Sequence, residues 1–108
     1  MVASQGDIIL LEFEQQSGHE QKGRRPALVV SNDNFNKYEY TILVCPITNT
    51  NRDIPFRIPL DWRTKTTGFI SIDQTRAIDL KSRKAVFLEK LPKDILKKVI
   101  EMTVGVVE

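Results

Sequence analysis

Apolar residues come in short, largely β-branched runs broken by polar turns, and only near the C-terminus does their spacing become helical. "GDIILLEFE" (6–14), "PALVVSN" (26–32) and "YTILVCPIT" (40–48) read as strands. "DNFNKYE", between the second and third, is polar enough for a loop with one helical turn. In "PFRIPL" (55–60), Phe56 and Ile58 alternate with Arg57, and the flanking prolines confine the segment to an edge or a short strand. "TGFISID" (67–73) and "AVFLEKL" (85–91) are further strands, with "TRAIDLKSRK" (75–84) a short extended piece and turn. Beyond this, Ile95, Leu96, Val99, Ile100, Met102 and Thr103 recur at helical spacing. Pro92 suits the first helical position and Asp94 complements the positive helix start.

Five to seven short strands followed by one amphipathic helix predict an α+β domain whose strongly bent antiparallel sheet closes into a small barrel. The 108 residues fit a single domain spanning 1–108, without repeats or a linker. A hydrophobic share of 41% and a charged share of 28% are those of an ordinary globular protein. No apolar run is long enough to cross a bilayer, and "MVASQGD" lacks the pattern of a signal peptide, so the expectation is a cytoplasmic protein with no membrane partner.

Cys45 is the only cysteine, so no intrachain disulfide or cysteine-rich zinc site is possible. Its apolar neighbours suit a buried, inert thiol better than a nucleophile. The net charge of +2 is unevenly spread: residues 81–98 carry a local +5, the rest of the chain −3. Such a run is a solvated face, or a surface for phosphates or acidic protein.

The loop "SGHEQKGRRP" (17–26) has almost no apolar content, so packing does not explain its residue types. His19 is suited to exchange protons near neutral pH, and Glu20 can serve as base, orienting partner or acceptor. Arg24 and Arg25 supply permanent charge with forked donors that match phosphate oxygens. Together these groups can act on a phosphodiester, against the plainer reading of a solvated hairpin loop. "CPITNTN" (45–51) ends a strand in Thr48 and Asn49, whose hydroxyl and amide can bind phosphate or base edges. "SIDQTRAID" (71–79) places Asp73, Gln74 and Arg76 at another strand end, with an Asp73–Arg76 ion pair as the plain alternative. Trp62, beside Arg63 and Lys65, and the loop aromatics Phe35, Tyr38 and Tyr40 are possible stacking surfaces or packing residues. With one histidine and scattered acids, no metal site is indicated.

The order of these pieces resembles the MazF/PemK (Kid) family of toxins over about residues 5–104: "GDI", "GHEQ" with "RP" leading into "ALVVS", then "PIT", "TGF" with "DQTRAIDL", and "LP" before the helix. The resemblance implies an SH3-like barrel of the MazF/CcdB-like toxin fold. It implies a homodimeric, ribosome-independent endoribonuclease, an mRNA interferase that cuts single-stranded RNA at short sequences, without cofactors, under control of a cognate antitoxin. Arg25 and Thr48 match the positions most often tied to catalysis in the family, and Glu20 and Gln21 match its "EQ" positions. In PemK-like members the residues at His19 and Asp73 are also implicated. Those members carry an arginine two residues before the aspartate, where this chain has Ser71, so that role is not transferred and falls to Arg25. Catalysis is thus expected from Arg25, Thr48, Glu20, His19 and Asp73, and RNA binding from Gln21, Lys22, Arg24, Asn49, Gln74, Arg76 and Trp62. A gyrase poison of the CcdB type, sharing the barrel, and an RNA-binding module that has lost catalysis are the competing readings.

Overall fold

The computed structural model describes residues 2–12, 23–38, 41–50 and 54–108. Among these residues, seven strands and two α-helices follow one another as β1 (Asp7–Leu11), β2 (Arg25–Val29), α1 (Asp33–Asn36), β3 (Thr41–Thr48), β4 (Arg57–Pro59), β5 (Phe69–Ser71), β6 (Arg76–Asp79), β7 (Val86–Lys90) and α2 (Lys93–Val107). The one helical turn expected after the second strand is α1, whose first turn is capped by the Asn32 side chain accepting from the Phe35 amide at 2.8 Å. Pro92 stands at the N-cap of α2, one step earlier than its sequence position suggested. Its carbonyl accepts from the amides of Ile95 and Leu96.

The first three strands read as near-continuous apolar runs because both faces of the sheet are covered. Ile8, Leu28, Cys45 and Ile47 point into one cluster, which Ile58, Ile70, Leu91, Ile95 and Val99 complete. The alternate residues Ile9, Ala27, Val29, Ile42 and Val44 meet Ile78 in a second cluster. Helix α2 covers the first face through Ile95 and Val99, both buried. Burying one such aliphatic side chain stabilises the fold by about 1.5–3 kcal/mol.

All strand pairs are antiparallel, in the order β4-β5-β3-β2-β1-β7, with β6 also on β3. The closed barrel is a correction: among the described residues the terminal strands β4 and β7 do not pair, and the sheet is open. Strand β4 is only three residues long and ends in Pro59, which has no N–H to extend a ladder.

Strand β3 is the centre of the sheet. Its partner on one edge is β2, from Val29↔Val44 to Ala27↔Pro46. Along the other edge lie β5 (Ile47↔Ile70, Thr48↔Phe69) and β6 (Thr41↔Asp79 to Val44↔Arg76). Three steps along β3, from Ile47 to Val44, correspond to six along its partner, from Ile70 to Arg76. Strands β5 and β6 are therefore one strand interrupted by a 3₁₀ turn, Ile72–Gln74, which takes up the extra three residues.

Candidate active site

Two prolines open the sheet where the candidate residues lie. Pro26 on β2 and Pro46 on β3 lack the N–H a ladder needs, and the β2–β3 pairing stops at Ala27↔Pro46. Past that point, among the described residues, β3 pairs with β5. Two residues further along each strand, and level with one another in the same register, stand Arg25 and Thr48. Arg25 is exposed and opposite Leu11 of β1; Arg24 beside it is exposed as well. The Thr48 hydroxyl oxygen accepts the Thr50 amide at 3.1 Å, which leaves its hydrogen free to donate.

Asp73 sits in the 3₁₀ turn, off the line of the interrupted strand. Its ion pair is with Arg57 of β4, where the sequence offers Arg76 as the plain alternative: Arg57 Nε reaches Oδ1 at 3.3 Å and Nη2 reaches Oδ2 at 3.4 Å. The third guanidinium nitrogen, Nη1, donates to the Thr50 carbonyl at 3.1 Å. The Arg57 side chain is 7% exposed and that of Asp73 26%. Gln74 is exposed in the same turn, and Arg76 opens β6 opposite Val44.

The connection from β4 to β5 is tied down at several points. Arg63 forks onto Asp61 (2.8 Å) and Asp94 of α2 (2.9 Å), and its guanidinium holds both carboxyls below the usual carboxylate range. Burial works against the charge of Glu89. Hydrogen bonds from the Thr66 hydroxyl and from the amides of Thr66 and Lys65 outweigh it and hold Glu89 low. Thr67 donates to Asn49 Oδ1 at 3.2 Å, joining this connection to the end of β3. On it Trp62 projects into solvent, 88% exposed, with little packing against the described residues.

His19, Glu20, Gln21 and Lys22 lie outside the described residues, as does Tyr40. The structure thus brings Arg24, Arg25, Thr48 and Asn49 to one end of the β2–β3 opening, and links Asp73 to Thr48 through Arg57 and Thr50. Arg57 is the site residue that sequence reasoning did not single out. It alternates with Phe56 and Ile58, yet Phe56 is 43% exposed and the arginine side chain is covered. Cys45 is buried, and burial pushes its thiol up to about 11, against the hydrogen bond with Thr75 Oγ1, so it is inert as a nucleophile. In the basic run, Lys90 pairs with the buried Asp7 at 2.6 Å, and Lys93, Lys97 and Lys98 are exposed along α2.

Compared with known proteins, residues 4–103 match the family model described as PemK-like, MazF-like toxin of type II toxin-antitoxin system. The chain belongs to this family. It is 37% identical over 99 residues to "Endoribonuclease PemK" of Escherichia coli, covering 88% of this chain and 74% of that one. It is also 37% identical to "Endoribonuclease toxin ChpB" of E. coli K12, over 95% of this chain and 92% of the relative. Among solved structures, MazF in a MazE–MazF crystal structure from Deinococcus radiodurans superposes with a TM-score of 0.90 at 34% identity, covering 99% of this chain and 96% of that chain. The open antiparallel sheet with its C-terminal helix is thus the fold of the MazF toxins. The PemK/MazF membership also removes the ground for the gyrase-poison reading, since these relatives are named endoribonucleases.

Proposed function

We propose that this PemK/MazF-family chain is a sequence-specific, metal-independent endoribonuclease toxin that cuts single-stranded RNA. The observation that carries the reading is the pairing of an exposed arginine, Arg25, with a hydroxyl whose hydrogen is free, Thr48, across the strand opening at Pro26 and Pro46. That combination suits a phosphate whose charge grows during reaction.

RNA supplies its own nucleophile, so no metal-bound water is required. A base removes the 2′-hydroxyl proton, the 2′-oxygen attacks phosphorus, and the bond to the 5′-oxygen breaks. That oxygen takes up a proton from a general acid, which leaves a 2′,3′-cyclic phosphate and a 5′-hydroxyl. Arg25 stabilises the crowded phosphorane, and Thr48 donates to a non-bridging oxygen. Glu20, His19 and Asp73 are the candidates for the base. The Asn49 amide oxygen accepts from Thr67, and its nitrogen, which has no partner among the described residues, suits a base edge. Gln21, Lys22, Arg24, Gln74 and Arg76 are assigned to the backbone and bases, and Trp62 to stacking. DNA lacks the 2′-hydroxyl and is not cut. The MazE–MazF assembly of the Deinococcus relative supports a cognate antitoxin as partner. A homodimer and a cytoplasmic location complete the proposal.

The test is to incubate purified chain with a long defined RNA in EDTA and map the new 5′ ends. Cuts at a short recurring sequence are expected, with Arg25→Ala at least about a hundredfold slower, the usual cost of removing one preorganised donor. Cutting by a folded Arg25→Ala variant at the wild-type rate refutes the role of Arg25. Activity lost to chelator and restored by magnesium refutes metal independence. RNA binding without cleavage supports the impaired-module reading instead.

A further inference from the structure

We infer that Arg57 is a positioning residue of this nuclease site, which fixes the Asp73 carboxylate and the Thr48–Thr50 turn in one geometry; the inference rests on the nuclease reading above. Its three guanidinium nitrogens face two segments at once: Nε and Nη2 the two Asp73 oxygens, and Nη1 the Thr50 carbonyl. The Thr50 amide in turn donates to Thr48 Oγ1. One planar group thereby joins β4, the turn that interrupts β5 and β6, and the end of β3. No point charge such as a lysine ammonium reaches all three acceptors in these directions.

A purely structural role does not account for this arrangement. With its side chain 7% exposed, Arg57 gives up hydration to hold an acid that is itself partly open to solvent, and a buried ion pair can commonly be replaced by an apolar side chain without loss of stability. The residue opposite Arg57 on β5, Ser71, is fully buried and its hydroxyl has no hydrogen-bond partner among the described residues, so polar matching within the sheet does not explain the arginine either. What Arg57 does secure is direction. A carboxylate has about four acceptor positions, and the fork occupies only part of them, leaving others on Asp73 for a donor from the substrate side.

Arg25 and Thr48 act on the phosphate directly, whereas Arg57 is covered and acts through Asp73 and Thr50. Its removal is therefore expected to lower kcat rather than raise KM. Arg57→Met keeps the stem volume and removes the fork. We expect it to melt within a few degrees of wild type, with KM for a short RNA oligomer changed less than threefold and kcat down at least tenfold. Arg57→Lys should fall between. In a double-mutant cycle with Asp73→Asn, the two losses should be markedly less than additive. Wild-type kcat for Arg57→Met overturns the inference, as does a loss of kcat that only parallels a loss of folded protein. Should Arg57→Met not fold, wild-type kcat for Arg57→Lys overturns it equally. Arg25→Ala is run alongside. If it is inactive while Arg57→Met is unaffected, only the role of Arg57 falls; if the folded wild-type chain itself leaves RNA uncut, the nuclease reading falls first.

Discussion

The backbone of Gly68 lies directly against the carbonyl of Thr48: a Cβ at Gly68 would sit 2.6 Å from that oxygen. Gly68 also has φ +124°, a region only glycine adopts without strain. Both facts concern the residue that carries the proposed phosphate-binding hydroxyl. Gly68→Ala must move the end of β3 or the turn before β5, at about 1–3 kcal/mol. For a domain of this size that is a fall in melting temperature of roughly 4–8 °C per kcal/mol, read by thermal denaturation. RNA cleavage should fall as well, because Thr48 shifts with its carbonyl. Gly105, in α2, has open space around its Cα, so Gly105→Ala should instead raise the melting temperature slightly. Equal effects of the two substitutions would contradict this account.

The Thr48 hydroxyl receives a backbone amide and has one hydrogen to give. Thr48→Ser keeps both capacities and is expected to retain cleavage within about tenfold of wild type. Thr48→Val keeps the shape but loses both, and should cut about a hundredfold to a thousandfold more slowly. Single-turnover rates on a fluorogenic RNA oligomer decide between them. A Thr48→Val protein as active as Thr48→Ser removes the hydroxyl from the mechanism.

Three acids held below the carboxylate range, Asp61, Asp94 and Glu89, fasten the connection that carries Trp62. A carboxyl with a lowered folded-state pKa contributes stability in full above its unfolded value, about 4, and loses it as pH falls through the folded value. The fastening is therefore intact from neutral pH down to about pH 4.5 and loosens only below about pH 4. Trp62 is the only tryptophan of the chain, so its fluorescence anisotropy reports the connection directly. It should stay level and then drop in acid, and Arg63→Ala should weaken that acid step because two of the carboxyls then have no fork to lose. A step centred near pH 6 would point to some other group.

Much of the strand pattern was legible because apolar runs in this chain are bounded by prolines and polar turns, and because the short length of β4 follows from Pro55 and Pro59 alone. The core was legible for the same reason: Ile8, Val44, Ile70 and Val99 are apolar and wholly buried. Barrel closure was not, since strand closure depends on whether two edges meet, which no local pattern records. The partner of Asp73 was not legible either. Arg76 is three residues away in sequence, Arg57 sixteen, and only the interruption between β5 and β6 turns Asp73 toward β4. That Arg57 did not stand out from sequence has a further cause. Period-two alternation assumes one wet face, whereas the stem of an arginine can lie along apolar surface and leave the neighbouring phenylalanine exposed.

The 3₁₀ turn between β5 and β6 gives up ladder hydrogen bonds in order to hold Asp73 and Gln74 out from the sheet. None of the buried clusters depends on how many residues this excursion contains beyond Ile72. On the proposed function, insertions or deletions there would re-aim Asp73 and Gln74 toward a bound strand while the interior stays as it is, so the choice of cleaved step could change without relearning how to fold.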